Sequence, residues 1–434
     1  MLGSERMPTL IKQAYVLGLT DKSLLGVDGI GDVLIDGGRI AEIAPFINQA
    51  AEDTEVIDAR GQFLGPGLVD LYSQCGEPGY ESRETRHSLK QAAAAGGFTR
   101  VGVLPNTKPA IDTVGELETV AKANQVRKGA RLLPWATITQ GGDGEQLNEL
   151  NELAAAGALG FTDSAPLTHP VLLRRLLEYA QPLQKPIALW PCDPTLAGGG
   201  VTREGVDALR LGLSGVSTIA ETTALATLLE CITEIPALVH IMRVSTARSV
   251  ELIGQAKQRE LPISASVPWH HLVFDTQDLE TYDPNLRHAP PFGTPADREA
   301  LIEGVLSGVI DAIAIDHSPY TYEENTVAFG SAPPGAIGLE LALPILWETF
   351  VAGAPQWSPE QLWRSLSHGP SQCLGLTPNT LQIGESAELT LFDPRVGWQA
   401  SAKNLKSLSS NTPWLDKAIK GQVIATWIPS GESP

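Results

Sequence analysis

One pattern, repeated along the middle of the chain, restricts the fold more than any other feature: an amphipathic helical run followed by a short apolar run. "ETRHSLKQAAAAGG" leads through Gly96-Gly97 into "FTRVGVLP", and "EQLNELNELAAAG" leads into "ALGFTD". "PVLLRRLLEYAQ", with Pro170 at a helix start, leads into "PIALWP". Further on come "ALVHIMRV", "ARSVELIGQAKQ" and "ISASV", then "DREALIEGVLSG" running into "IDAIAID". A helix between successive apolar strands is the connection that parallel strands require. Enough units are present to close a (β/α)8 barrel, and in such barrels chemistry collects at the C-terminal strand ends.

The flanks have a different period. "KQAYVLGL" and "GDVLIDGGRIAEIAPFI" read as strands, with Gly37-Gly38 as a hairpin turn, and β character returns in "AELTLFDP" and "GQVIATWIPSG". The termini are therefore expected to build one small β domain from residues 1–62 and 381–434, with the barrel over 63–380.

With 50 acidic and 31 basic residues the formal net charge is −19, and the deficit is spread along the chain. Nucleic acid and anionic membranes need clustered Lys and Arg, so neither is an expected partner. Cys75, Cys192, Cys231 and Cys373 are far apart and form no C-x-x-C pair, the usage of reduced thiols. No apolar run reaches the roughly 18 residues of a membrane span, and the first residues lack a signal-like apolar stretch. A cytoplasmic location is expected.

The ordered stretches "GPGLVDL", "EPGYESRET", "AAAAGGFTRVGVLPNTKP", "GALGFTD", "VSTARSVELI", "DREALIEGVLSGVIDAIAIDHSP", "APPGAIGLELALP" and "NTPW" resemble dihydroorotases, of the amidohydrolase superfamily, over almost the full length. The resemblance implies an amidohydrolase-type (β/α)8 barrel with a small β-sandwich domain. It also implies a metal centre: an H-x-H on the first strand, a bridging carboxylate, two further histidines and an aspartate after the last strand.

Carried onto this chain, the H-x-H positions are Tyr72 and Gln74, the next histidine is Trp190, and the one after is Arg243. Asp163 and Asp316 stand at the two carboxylate positions, Asp316 being the family's general acid/base. The family's carboxylate-binding arginine is Gly76, its asparagine before the double proline is Ala289, and a histidine following the aspartate is Tyr320; Asn106 keeps its substrate-binding position. Tyr, Gln and Trp are poor zinc ligands, and a guanidinium is none because it stays protonated. No metal cofactor is expected. Two carboxylates left without cations should attract a positive group, so Arg243 is expected to pair with Asp316 or Asp163 while Trp190 and Tyr72 fill the volume.

Other residues have bland readings. His270-His271, if on a strand, face opposite ways and cannot share a metal, and His240 is an odd number of residues from Arg243, which favours packing. His317 is expected to orient the strand end or its loop. Cys75 and Cys192 have no neighbouring histidine in sequence to make a thiolate, which weighs against a nucleophilic role. The Gly- and Pro-rich segment from Ser318 to Gly335 reads as a long loop over the mouth, suited to covering a site or meeting a partner.

The resemblance thus implies a dihydroorotase-like protein of pyrimidine biosynthesis that is catalytically inactive and acts in assembly, with aspartate carbamoyltransferase or copies of itself as partner. The alternative is an active dihydroorotase or related cyclic-amide hydrolase, with zinc in an atypical site. A small-molecule sensor using Trp190, Tyr72 and Gln74 is a third reading.

Overall fold

The computed structural model describes residues 7–19, 21–48, 53–126, 129–353 and 357–428. Eight strand positions form the barrel. Leu68–Ser73, Phe98–Val103 and Arg131–Pro134 make one parallel arc, and Ile187–Leu189, Val239–Ile241, Ile263–Pro268 and Ala312–Ala314 make a second. The fourth position is the run expected as the strand "ALGFTD". It is reduced to Phe161, bridged to Ala136 on one side and Ile187 on the other, because the chain turns away at Ser164 with a φ of 63°.

The first and last strands share no ladder among the described residues. Their seam is closed by Ile315 N donating to Asp70 Oδ1 (2.8 Å), His317 N to Ser73 Oγ (3.1 Å) and Gln74 N to His317 O (2.8 Å). Side chains and one backbone bond thus replace the missing ladder, right beneath the mouth.

The helices Arg86–Ala95, Pro170–Ala180, Ala247–Gln258 and Pro295–Ser307 lie where the periodicity places them, and Thr85, Thr246 and Thr294 cap three of them through side-chain oxygens. The longest, Ile219–Glu234, was not read from the sequence. Its threonines obscure it: Thr222, Thr223, Thr227 and Thr233 are weak helix formers that return their hydroxyls to carbonyls four residues back, and burial of Leu225, Leu228, Leu229 and Ile232 in the core holds the helix.

Inside the barrel Val69, Leu71, Tyr72, Leu104, Trp135 and Met242 pack into one apolar layer. Trp135 seats by donating Nε1–H to Leu71 O (2.9 Å). Gly102 makes the space: a Cβ there would fall 2.0 Å from that same carbonyl oxygen. The interior is a filled core, so ligands can meet this fold only at its mouth or surface.

The termini meet in a seven-stranded sheet, in the order Ala418–Trp427, Leu389–Gln399, Phe63–Pro66, Thr9–Val16, Ile30–Asp36 and Arg39–Ala44, with Glu55–Asp58 also beside Thr9–Val16. The Gly37-Gly38 turn joins its antiparallel neighbours, pairing Asp36 with Arg39. One boundary differs from expectation. Phe63–Pro66 was assigned to the barrel but pairs with Leu389–Phe392 and with Tyr15–Val16, so the β domain reaches Pro66. The end of "GQVIATWIPSG", from Pro429, lies outside the described residues. Among the described residues no helix is long and apolar enough to cross a membrane.

Candidate functional site at the barrel mouth

Three non-glycine residues at strand ends adopt the left-handed region: Ser164 (φ 63°), Arg243 (φ 55°) and Asp316 (φ 49°). Such conformations cost on the order of 1–3 kcal/mol each for these residue types and persist where surrounding contacts hold them. Here the contacts converge. Arg243 Nε and Nη2 each lie 2.7 Å from an oxygen of Asp316, and Nη1 donates to Ser164 O (3.3 Å).

The pair is largely buried, with side chains 8% and 13% exposed. Aromatic faces flank the cation: the guanidinium carbon is 5.1 Å from the Trp190 ring centre and 5.9 Å from that of Tyr72. Burial works against the charge on Arg243, and the adjacent Asp316 carboxylate more than reverses this, raising the guanidinium pKa. Arg243 is a fixed cation in the middle of the mouth.

Of the two partners expected for Arg243, the structure selects Asp316. Asp163 faces elsewhere: Oδ1 accepts from Ile138 N (2.7 Å) and Thr139 N (3.0 Å), and Oδ2 from Thr139 Oγ1 (2.8 Å). The two aspartates therefore do not form the facing pair read from the sequence. Donors in a turn 24 and 25 residues upstream capture Asp163 first. Burial nonetheless holds its carboxyl pKa above the ordinary range.

Tyr72 is fully buried, its phenol 3.0 Å from Ser266 Oγ and accepting from Arg243 N (3.2 Å). Gln74 donates to Ser318 Oγ (2.9 Å) at the start of the long loop. Asn106 is exposed beyond the end of the second strand, and Tyr320 donates its hydroxyl to Pro334 O (3.2 Å). Gly76 has no room for any side chain: a Cβ would sit 2.2 Å from Tyr80 O and 2.6 Å from Glu84 O.

His240 packs as expected, but its face and the strand placement of His270 and His271 need correction. His240 shares the interior with Tyr72 and lies between Ser264 Oγ (2.9 Å) and Ser266 Oγ (2.8 Å), on the same hydrogen-bonded chain as Tyr72. Strand parity misplaces it relative to Arg243 because the strand ends at Ile241 and the positive φ at Arg243 swings that side chain across the mouth. Burial lowers the His240 pKa to about 3, so the ring is neutral. His270 and His271 sit in a short helix, His270–Val273, rather than on a strand, and both are buried.

His317 does orient its loop, with Nδ1 accepting from Gly338 N (3.2 Å) and Nε2 3.3 Å from Glu84. Burial pushes the Cys75 thiol up to about 12 and that of Cys192 to about 11, which leaves both as thiols at neutral pH. The sequence reading missed Asp70, a buried carboxyl at the seam whose pKa burial raises to about 7. Its one sequence signal is a lone acid inside the apolar run "GLVDLY". Among the described residues no three His, Cys, Asp or Glu side chains converge as a metal centre requires.

Comparison with known proteins agrees with this architecture. A sequence model described as "Dihydro-orotase-like" matches residues 61–247. The chain is 42% identical to a probable dihydroorotase-like protein of Synechocystis sp. over 422 residues, covering 91% of this chain and 94% of the relative. It is 36% identical to the dihydroorotase of Syntrophotalea carbinolica over 402 residues, covering 92% and 94%. Among solved structures it resembles the L-hydantoinase (dihydropyrimidinase) of Arthrobacter aurescens, with a TM-score of 0.82, 22% identity and coverage of 98% and 97%, a likeness of fold. With identity at this level over more than nine-tenths of both chains, the chain belongs to the dihydroorotase family of the amidohydrolase superfamily.

Proposed function

We propose that, within a family of pyrimidine-related cyclic amidohydrolases, this chain is a non-catalytic member whose barrel serves assembly, with aspartate carbamoyltransferase as the partner implied by family resemblance. The observation that carries the reading is the grip of Arg243 on both oxygens of Asp316. A general acid/base needs a free oxygen within reach of the proton it moves, and here each oxygen is engaged by a permanent cation.

The donor set supports the same reading. A phenol, an amide, an indole and a guanidinium occupy the positions that family resemblance assigns to zinc ligands, and they do not fit a catalytic zinc. Gly76 lies under the Tyr80 and Glu84 carbonyls, so the backbone closes over the place where the family's carboxylate-binding arginine would stand.

The test is carbamoyl-aspartate cyclisation and dihydroorotate hydrolysis by the purified chain, with added zinc and with chelator, beside an active dihydroorotase. Absence of turnover under both additions, together with co-purification of aspartate carbamoyltransferase, is the expected result. Chelator-sensitive turnover would overturn the reading in favour of an atypical hydrolase.

A further inference from the structure

Beside the Arg243–Asp316 pair lies a second polar cluster with no part in the reading above. Arg203, His270, His271 and His288 are each more than nine-tenths buried, and Arg287 is partly buried. Backbone carbonyls of one short segment connect them. Arg287 Nη1 donates to His288 O (3.1 Å), His271 Nε2 to Pro290 O (3.0 Å) and Arg203 Nη2 to Pro291 O (3.4 Å). The His288 ring lies 4.5 Å from that of His270, tilted by 46°, and 6.0 Å from that of His271.

What these groups share is an unanswered nitrogen. Arg203 Nε, Arg287 Nε, His270 Nε2, His271 Nδ1 and His288 Nε2 are all buried without a hydrogen-bond partner. Native proteins leave only a few such atoms per hundred residues, and five of them around one segment need an explanation. Neither arginine forms an ion pair among the described residues. The carboxylate nearest to Arg203 in its network is Glu221, reached through Ser245 Oγ, which Arg203 Nη2 contacts at 2.7 Å. An arginine Nε–H can only donate, so its missing partner is an acceptor, and a desolvated guanidinium favours one with negative charge.

We propose that this cluster is a binding site for a small oxyanion, a carboxylate or phosphate group held by Arg203 and Arg287 and backed by the three histidines. The proposal does not depend on whether the chain turns over substrate.

Proton coupling follows from the hydrogen bonds. His271 spends its Nε2–H on Pro290 O, so its Nδ1 carries a lone pair while the ring is neutral and can donate to an anion only after taking up a proton. The surroundings oppose that proton: burial first, then the neighbouring charges of Arg203 and Arg243 on His271, and of Arg287 and Arg243 on His288. His270 faces His288, His271 and His317, the last paired with Glu84, while Arg243 is paired with Asp316 and Arg203 is linked to Glu221. A bound anion offsets the local positive charge and favours protonation, so its affinity rises as pH falls.

The experiment is calorimetric titration of the full chain with inorganic phosphate and, separately, with succinate, at about pH 6 and about pH 8 in buffers of different ionisation enthalpy. Saturable binding of at least one anion is expected, tighter at the lower pH, with proton uptake beyond that of the anion's own titration visible as buffer-dependent heat. Arg287→Gln should weaken it about tenfold or more, as loss of a charge-assisted hydrogen bond does. Binding of phosphate alone identifies a phosphate-bearing ligand, and of succinate alone a carboxylate. Should Arg287→Gln fail to fold, Arg287→Lys keeps the charge but removes the planar fork and is expected to bind more weakly in the same way. Absence of saturable binding by heat and by anion-dependent Tm, or equal binding by wild type and variant, would overturn the proposal.

Discussion

On one side of the mouth Asp163 is held by three donors of a nearby turn, Ile138 N, Thr139 N and Thr139 Oγ1; on the other, Asp316 is held by two nitrogens of a guanidinium 73 residues away in sequence. Both carboxylates are satisfied, but by different means. Neutral dipoles leave the Asp163 charge in place and a raised pKa beside it, whereas Arg243 cancels the charge of Asp316 and ties two strand ends together. A carboxylate at a barrel mouth can therefore be retained for local architecture or for a long-range clamp, and residue identity alone does not say which.

Unfolding in urea separates the two. Asp316→Ala leaves Arg243 buried and uncompensated, and about 3–5 kcal/mol of stability should be lost. In the cycle with Arg243→Met, the double variant should recover most of that loss, because replacing a whole buried pair by apolar groups is far milder than breaking it. Asp163→Ala strands buried donors but no charge, and about 1–3 kcal/mol is expected. Equal losses for Asp316→Ala and Asp163→Ala, with no coupling to Arg243, would erase the distinction.

Asp70 sharpens the comparison as a third buried carboxyl, with neither a cation nor a full set of amides. Its pKa is raised to about 7, so its contribution to stability is fully present below the ordinary carboxyl range and is lost as pH rises towards 7. Wild-type stability should fall by on the order of 1–3 kcal/mol between about pH 4 and about pH 8 on this account, and Asp70→Asn should flatten that slope. A slope unchanged in the variant would assign it to other groups. The smallest effect belongs to Tyr72→Phe, which removes the hydroxyl shared by Ser266 and Arg243 N and should cost about 1 kcal/mol by thermal unfolding.

The barrel was legible because its helices and strands announce themselves locally. Pro170 at a helix start, Gly96-Gly97 at a helix end and Gly37-Gly38 at a hairpin need no knowledge of tertiary contacts. The pairing of Arg243 with an aspartate was also legible, since a fixed cation set among retained carboxylates has few places to go. The choice between Asp316 and Asp163 was not, because Thr139 and the turn that captures Asp163 carry no sequence mark of that role. Nor was the face on which His240 lies, since parity arguments assume a regular strand and Arg243 leaves it. The placement of His270 and His271 failed for a related reason: the strand Ile263–Pro268 stops and a helical turn begins within two residues.

The seven-stranded sheet that joins the two ends of the chain has a temporal consequence. Its core packs Ile11, Val33, Ile40 and Leu64 against Leu381, Leu389 and Leu391, and Leu64 pairs in register with Leu391. During synthesis the N-terminal strands emerge first and must wait, with one edge unpaired, until the entire barrel has been translated. The barrel, whose neighbouring strands are joined by local helical crossovers, can close meanwhile, and it carries the two halves of the sheet to a common side. The C-terminal strands, made after the barrel, complete the N-terminal ones, so the early edge needs protection from aggregation while the molecule folds.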